Sequence, residues 1–337
     1  MRKFLAVVIL GFTAFVGVAT LQTAAGTAPH WAWGMTGPAP ATPPPAAAPA
    51  APAAPAAPAA DDPTKLTVPG SALSLTRAEI RAQGVFVDWH PGDHPTLPSI
   101  VKDGRAAARA CGLCHLPNGK GRPENAGVQG LTYSYIMQQL QDFRNDARVT
   151  SDSRKTNTAT MTTIAKTLTP EEMDAAAKYF SSMPYSPWIR VVESKTVPKT
   201  RSAGGMWQAL DGEATEPLGA RVMEMPENVE RVELRDARAS FVAYAPVGAI
   251  KKGEALVTTG GNGKTTACGI CHGADLKGIG PVPPIAGRSP SYLARQMFDM
   301  QNGKRNGQWT GLMKPVVAKL TNDDLVNIVA YVSSKTP

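Results

Sequence analysis

Cys111-Gly112-Leu113-Cys114-His115 and Cys268-Gly269-Ile270-Cys271-His272 are two C-x-x-C-H pentapeptides, and together they use every cysteine in the 337-residue chain. At about 3.6 residues per helical turn, the first, fourth and fifth positions of such a pentapeptide share one face. Two thiols can then reach the two vinyl groups of one porphyrin while the imidazole points at its iron, which is the chemistry of covalent haem c attachment. A dithiol of the thioredoxin kind would need a βαβ context, and a zinc site would need its ligands in paired clusters. Two covalently bound haem c groups are therefore expected, held by Cys111, Cys114 and His115 and by Cys268, Cys271 and His272.

The elements that must position these residues occur twice. A shift of 157 residues superposes the two pentapeptides and carries on to match Gly121 with Gly278, Gly130 with Gly287 and Ser134-Tyr135 with Ser291-Tyr292. It also matches Gln139, Asp142, Asn145 and Arg148 with Gln296, Asp299, Asn302 and Arg305. The shift then drops to 152, as a loop-length difference produces, and pairs Met161 with Met313, Thr169 with Thr321 and Tyr179 with Tyr331. The chain thus contains two copies of one module. Of the methionines downstream of each histidine, only Met161 and Met313 face each other, which nominates them as the second axial ligands of the two irons. A thioether opposite an imidazole raises the reduction potential and suits one-electron transfer; filling gaps in a core is the alternative role.

Both modules close with a helix. Leu325, Ile328, Val329 and Val332 form one apolar stripe after Thr321 and Asp324, which resemble a capping box. Met173, Ala176, Ala177 and Phe180 repeat the stripe after Thr169-Pro170-Glu171-Glu172, a cap followed by proline at the first helical position. Further helices are expected from about Ser134 to Asn145 and from Ser291 to Asn302, between loops rich in Gly and Pro.

With these parts placed, each module resembles a class I cytochrome c domain, and the tandem is similar to the dihaem cytochromes c of the c-four group. The likeness rests on the two pentapeptides, on Pro283-Pro284-Ile285-Ala286-Gly287-Arg288 with Ser291-Tyr292-Leu293, and on Met313 before the closing helix. It implies an all-α fold, low-spin haems ligated by His115 with Met161 and by His272 with Met313, and periplasmic electron transfer toward a terminal oxidase or from a dehydrogenase. No substrate would bind the irons. In such domains a proline carbonyl takes the proton of the ligand histidine; Pro283 stands at that place, whereas the first copy has Ala126.

The domain plan expected is a signal peptide or uncleaved membrane anchor at 1–28, a Pro/Ala-rich linker at 29–66, an extension at 67–99 and cytochrome c domains at 100–185 and 248–337. An irregular segment at 186–247 joins the two domains. Within it Arg221–Met225 and Phe241–Tyr244 could form short strands, and the whole is expected to lie as an arm over both domains. Arg2 and Lys3 precede an apolar run from Phe4 to Leu21, long enough to associate with the inner membrane, and of the two readings the retained anchor is preferred. Trp31 and Trp33 would then sit at the outer membrane interface. The Pro/Ala run, 38–60, would reach roughly 70 Å in polyproline geometry at about 3.1 Å per residue, a tether for the haem domains.

The formal charge of +8 falls by two without Arg2 and Lys3, and each haem adds two propionates. This mild balance suits docking to a redox donor and acceptor and gives no reason to expect nucleic acid. Lys251, Lys252 and Lys264 are candidates for a docking patch, though a solvated face is the commoner role. Arg148 and Arg305 are candidates to clamp haem propionates, with Tyr135 and Tyr292 packing on the porphyrins. Trp309 is expected in the core. His90 and His94, each followed by proline, are expected in a solvated loop and not at a metal. An enzyme using a cysteinate ligand would need a fifth cysteine, and a dihaem peroxidase would need an open iron.

Overall fold

The computed structural model describes residues 27–37, 62–82 and 86–337. The apolar run 4–21 and the Pro/Ala run 38–60 lie outside the described residues. Among those that are described, no helix is long and apolar enough to cross a membrane.

The extension carries α1 (Arg77–Arg81), closed at its start by a Thr76/Glu79 capping box. The first module follows with α2 (Ser99–Lys102), a small hairpin of β1 (Gly104–Arg105) and β2 (Ala108–Arg109), α3 (Gly112–His115), α4 (Tyr133–Arg144), α5 (Thr156–Thr167) and α6 (Pro170–Ser181). The expected cap of the last helix is present: the Thr169 hydroxyl accepts from the Glu172 amide and the Glu172 carboxylate accepts from the Thr169 amide. The apolar faces of α4 and α6 meet through Ile136, Leu140, Met173, Ala177 and Phe180.

The middle segment is not irregular. It contains β3 (Ile189–Glu193), β4 (Thr196–Pro198), β5 (Thr200–Ala203), β6 (Met206–Ala209), β7 (Thr215–Pro217), β8 (Met223–Pro226), α7 (Val229–Glu233) and β9 (Phe241–Ala245). Central β9 runs parallel to β3, with Ile189 opposite Phe241, and antiparallel to β8, with Met225 opposite Val242. The strands β4 with β7, and β5 with β6, form two further antiparallel pairs.

The second module consists of α8 (Ala249–Thr259), α9 (Gly269–His272), α10 (Pro290–Gln301), α11 (Thr310–Val317) and α12 (Asn322–Ser333). Helix α8 crosses α12 at Gly253, where a methyl group would run into the Asn327 carbonyl. The core of this module is continuous with the middle segment, since Leu325, Val329 and Phe298 share one cluster with Met223, Met225 and Val242.

Trp31 and Trp33 are also in that cluster, which corrects their placement at a membrane interface and removes 29–37 from the linker. They stand on a 3-10 turn, His30–Trp33, that pegs the N-terminal stretch into the body. Trp33 is fully buried, edge-on to Phe298, and donates to Thr150 Oγ1 at 2.9 Å. The Trp31 carbonyl accepts from Trp207 Nε1 at 2.9 Å, and Arg295 reaches the Ala32 carbonyl. The described stretches on either side of the Pro/Ala run both pack on the body, through Trp31 and Trp33 on one side and Val68 and Ile80 on the other.

His90 is buried and His94 is half-buried with its ring covered, so neither stands in a solvated loop. His90 Nε2 lies 3.0 Å from Asp236 Oδ1, and His94 Nε2 lies 3.2 Å from Asp88 Oδ2. The His90 pair belongs to a seam between extension and middle segment, which also contains a small core of Val68, Ile80, Val87, Trp89 and Leu234 and the Arg238–Asp93 ion pair.

Candidate functional site

Each C-x-x-C-H forms a single helical turn, with the histidine amide donating to the carbonyl of the first cysteine at 3.0 Å in α3 and 2.9 Å in α9. The chain leaves the turn in the left-handed region, at Leu116 (φ 63°) and Gly273 (φ 85°). It returns through Gly121 and Gly278, whose φ values of 66° and 85° only glycine adopts without strain. The return loop brings a backbone carbonyl to each imidazole. His115 Nδ1 is 2.7 Å from the Ala126 oxygen, and His272 Nδ1 is 2.8 Å from the Pro283 oxygen.

A carbonyl can only accept, so Nδ1 carries the proton in both rings and Nε2 holds the free lone pair. Proline and alanine offer the same oxygen, and the difference at position 126 therefore leaves the orientation of His115 unchanged. Burial pushes both imidazoles below the ordinary histidine value, opposed by these carbonyls, and so favours the neutral form that can coordinate.

No two cysteines are joined in a disulfide, and among the described residues no three His, Cys, Asp or Glu side chains gather into a metal-binding group. Burial pushes the Cys111 thiol up to about 12 and the Cys268 thiol to about 11. These thiols stand against apolar space, which fits porphyrin vinyl groups and not a zinc ion. Beside Cys268, Cys271 and His272 that space is a cavity walled by Val282, Ile285, Leu293, Leu320 and Val332.

Met313 lines the same cavity, as do Met297 and Met300 of α10. The internal repeat separates them, because only Met313 has a methionine at the matching position. That partner, Met161 on α5, packs against the same first-module cluster as Cys111. Trp309 is 45 % exposed at the cavity mouth, not in the core. Lys264 is bound to Asp324 at 2.6 Å, which takes it out of the candidate docking patch, while Lys251 and Lys252 are exposed on α8.

Arg148 and Arg305 are buried where the two modules meet, in a nearly two-fold arrangement. Arg148 donates to Gln139 Oε1 in its own module and to Tyr292 Oη and Gln296 Oε1 in the other. Arg305 donates to Gln296 Oε1 in its own module and to Tyr135 Oη and Gln139 Oε1 across the seam. Burial alone would raise the Tyr292 hydroxyl, but Arg148 and Arg305 outweigh it and hold it below the ordinary phenol value. Arg305 also lines the cavity, and its buried Nε has no hydrogen-bond partner. An orphaned donor at the wall of an apolar cavity fits a cofactor that is apolar over its body and carries carboxylates.

Several residues take places in the site that spacing did not indicate. Tyr135, Gln139 and Asp142 of the first module line the cavity of the second. Arg288 is buried, donates to the Gly127 and Gln129 carbonyls and stacks on Tyr185 with 3.8 Å from guanidinium carbon to ring centre. Buried Glu224 of β8 accepts from Ser289 Oγ and the Ser291 amide at the start of α10. The repeat flagged Gln139 and Asp142 without their role; Arg288 was visible only as part of the 283–288 run.

The cytochrome c family model matches residues 101–184 and 250–336, half of the chain. The chain belongs to the cytochrome c family. Over 229 residues it is 26 % identical to the thiosulfate dehydrogenase electron acceptor of Stutzerimonas stutzeri, an alignment covering 67 % of this chain and 78 % of that protein. Over 77 residues it is 40 % identical to cytochrome c4 of Pseudomonas aeruginosa, covering 22 % of this chain and 36 % of that one. Among solved structures, reduced cytochrome c4 from Pseudomonas stutzeri matches with a TM-score of 0.44 and 21 % identity, over 67 % of this chain and 93 % of that one. A thiosulfate dehydrogenase from Marichromatium purpuratum matches with a TM-score of 0.47 and 23 % identity, over 70 % of this chain and 39 % of that one. This cytochrome is thus a dihaem protein with two tandem cytochrome c domains, two covalently bound haem c groups and an electron-transfer role, and it is similar to the cytochromes c4.

Proposed function

We propose that this cytochrome is a periplasmic one-electron carrier whose irons are closed on both sides and bind no substrate. Cys111, Cys114, His115 and Met161 would hold one haem, and Cys268, Cys271, His272 and Met313 would hold the other. Each haem supplies a one-electron iron couple. The protein's part is to fix the ligands and exclude water. The Ala126 and Pro283 carbonyls keep a proton on Nδ1 and so present Nε2, the apolar walls keep solvent out, and the Arg305 guanidinium offers a donor to a propionate. Export is supported by Arg2 and Lys3 before the apolar run 4–21.

The observation that carries the reading is the duplicated set of oriented histidine and matching methionine, which leaves neither iron a free position. Optical spectra of the purified holoprotein with and without carbon monoxide test it. Two low-spin haems that ignore the gas are expected; a haem that binds it overturns the carrier reading in favour of an enzyme.

The donor in this proposal is a periplasmic dehydrogenase. Its support is the likeness, over two thirds of the chain, to proteins described as thiosulfate dehydrogenase electron acceptors. Reduction of the oxidised holoprotein by a purified thiosulfate dehydrogenase and thiosulfate is the expected outcome, and a terminal oxidase is the expected class of acceptor.

A further inference from the structure

The two haem sites are built from one repeat, yet they meet the surface differently. In the second module Ile270 is 70 % exposed, Leu312 66 %, Ile279 56 % and Trp309 45 %. Exposed Cys271 lines the cavity together with Trp309 and Leu312, Ile270 precedes it in the chain, and Ile279 pairs with Val282 of the same lining. Trp309 and Leu312 border the mouth of the cavity, and Ile270 lies beside it in a shallow hollow with Asp275, Lys277 and Lys335. Lys314 is exposed next to Met313. Three lysines thus stand around an apolar rim against one carboxylate.

The repeat gives the counterpart of each residue in the first module. Leu113 matches Ile270, Arg122 matches Ile279, Asn157 matches Trp309 and Thr160 matches Leu312. None is a free apolar group. The Leu113 carbonyl accepts from Arg235 Nη1 at 2.7 Å, Arg122 pairs with Glu124 at 2.7 Å, and Asn157 donates to Asn125. Gly112 lies under Phe86, so that a methyl group there would run into the ring, whereas one on Gly269 would meet nothing closer than 3.6 Å. Phe86 belongs to the extension and Arg235 to the middle segment, and those two stretches are joined by their own small core and by the buried His90–Asp236 pair. Phe86 and Arg235 thus cover the first face from two stretches that share a core of their own.

We propose that the rim of Ile270, Ile279, Trp309 and Leu312 is the docking face for a redox protein with an apolar centre edged by carboxylates, and that the extension and middle segment close the equivalent face of the first module. The proposal rests on the carrier reading. It makes the molecule directional, because protein partners meet the electron path at the second site and the first is reached from within. Four exposed apolar groups in one patch with a basic edge suit a brief encounter in which charge orients and apolar contact docks.

Flavodoxin, a small acidic flavoprotein, is a suitable probe. Added to isotope-labelled holoprotein, it should shift amide and indole NMR signals of residues 268–282 and 306–314 and leave those of 86 and 235 unmoved. The affinity should fall as salt is added. Reduction by flavodoxin hydroquinone should slow by about tenfold or more in the variant carrying both Lys277→Glu and Ile279→Asp, through like-charge repulsion and the lost apolar contact. Reduction by dithionite should be unchanged, as should the flavodoxin rate of Leu210→Asp on the middle segment. Shifts centred on the first module, no binding at all, or a double variant that reacts at the wild-type rate would each overturn the proposal. Carbon monoxide binding would instead overturn the carrier reading and leave the NMR map as it stands.

Discussion

The proton on Nδ1 of His115 and His272 is fixed by the backbone, and the loop that fixes it turns on a single glycine. In Gly121→Ala the new methyl would press on the Ala126 carbonyl, the acceptor of the His115 proton, at a residue whose φ of 66° alanine avoids. Strain of this kind costs about 1–3 kcal/mol. A lower denaturant midpoint is expected, together with a changed potential for the first haem alone in a spectroelectrochemical titration. At the axial positions, Met161→Ala and Met313→Ala should each make one haem bind carbon monoxide and lower its potential by an amount of the order of 0.1 V. Cysteines and histidines were legible because attachment chemistry dictates their spacing. The acceptor at position 126 was not, because a main-chain oxygen leaves no mark on residue type. The Arg148 and Arg305 pairing was half legible: the repeat marked both, but their cross-module partners exist only after the two copies dock.

Helix ends followed their caps closely, since the capping interaction is local. Helices expected at about Ser134–Asn145 and Ser291–Asn302 are found at Tyr133–Arg144 and Pro290–Gln301. Thr169→Ala removes the acceptor for the Glu172 amide and should cost about 1 kcal/mol, read from the denaturation midpoint. Helix α8 escaped the sequence reading because Gly253 and the threonines near its end weaken its pattern. Gly253 is there for the crossing with α12, and Gly253→Leu should destabilise the second module by about 1–3 kcal/mol or more. The strand stretches in the middle segment were partly legible from alternation, with Met223–Pro226 and Phe241–Ala245 found near the expected positions. Their sheet was not, because β3 and β9 pair across nearly fifty intervening residues.

Across the whole molecule, the parts that sequence periodicity could not assign are those that join modules. Trp33→Ala empties a fully buried site between the N-terminal peg, α10 and the first module, and should cost about 3–5 kcal/mol in a thermal or denaturant melt. Lys155 lies in the same region, buried and with no hydrogen-bond partner for Nζ among the described residues. Burial, helped by Arg295 and opposed by Glu124, pushes it down from 10.5 to about 7. Between those values the unfolded chain holds a proton that the folded chain does not, so this group makes stability rise with pH from about 7 to about 10.5. Lys155→Met should therefore raise the melting temperature most at pH 7 and below, and the gain should shrink as pH approaches 10.5. Calorimetry across that range checks the sign.

The pegged turn at His30–Trp33 also sets how far the body can stray from whatever lies before it. Thr27 is held by Asn322 at the head of α12, through a 2.7 Å bond to its carbonyl. Stretches 27–37 and 62–82 are both seated on the body, so inserting more proline and alanine between them would enlarge a closed bight and lengthen no leash. Only Gln22–Gly26 separate Leu21 from the mooring, at most about 20 Å of fully stretched chain. If the apolar run stays in the lipid, the electron carrier rides hard against the bilayer, and its partners must come to it.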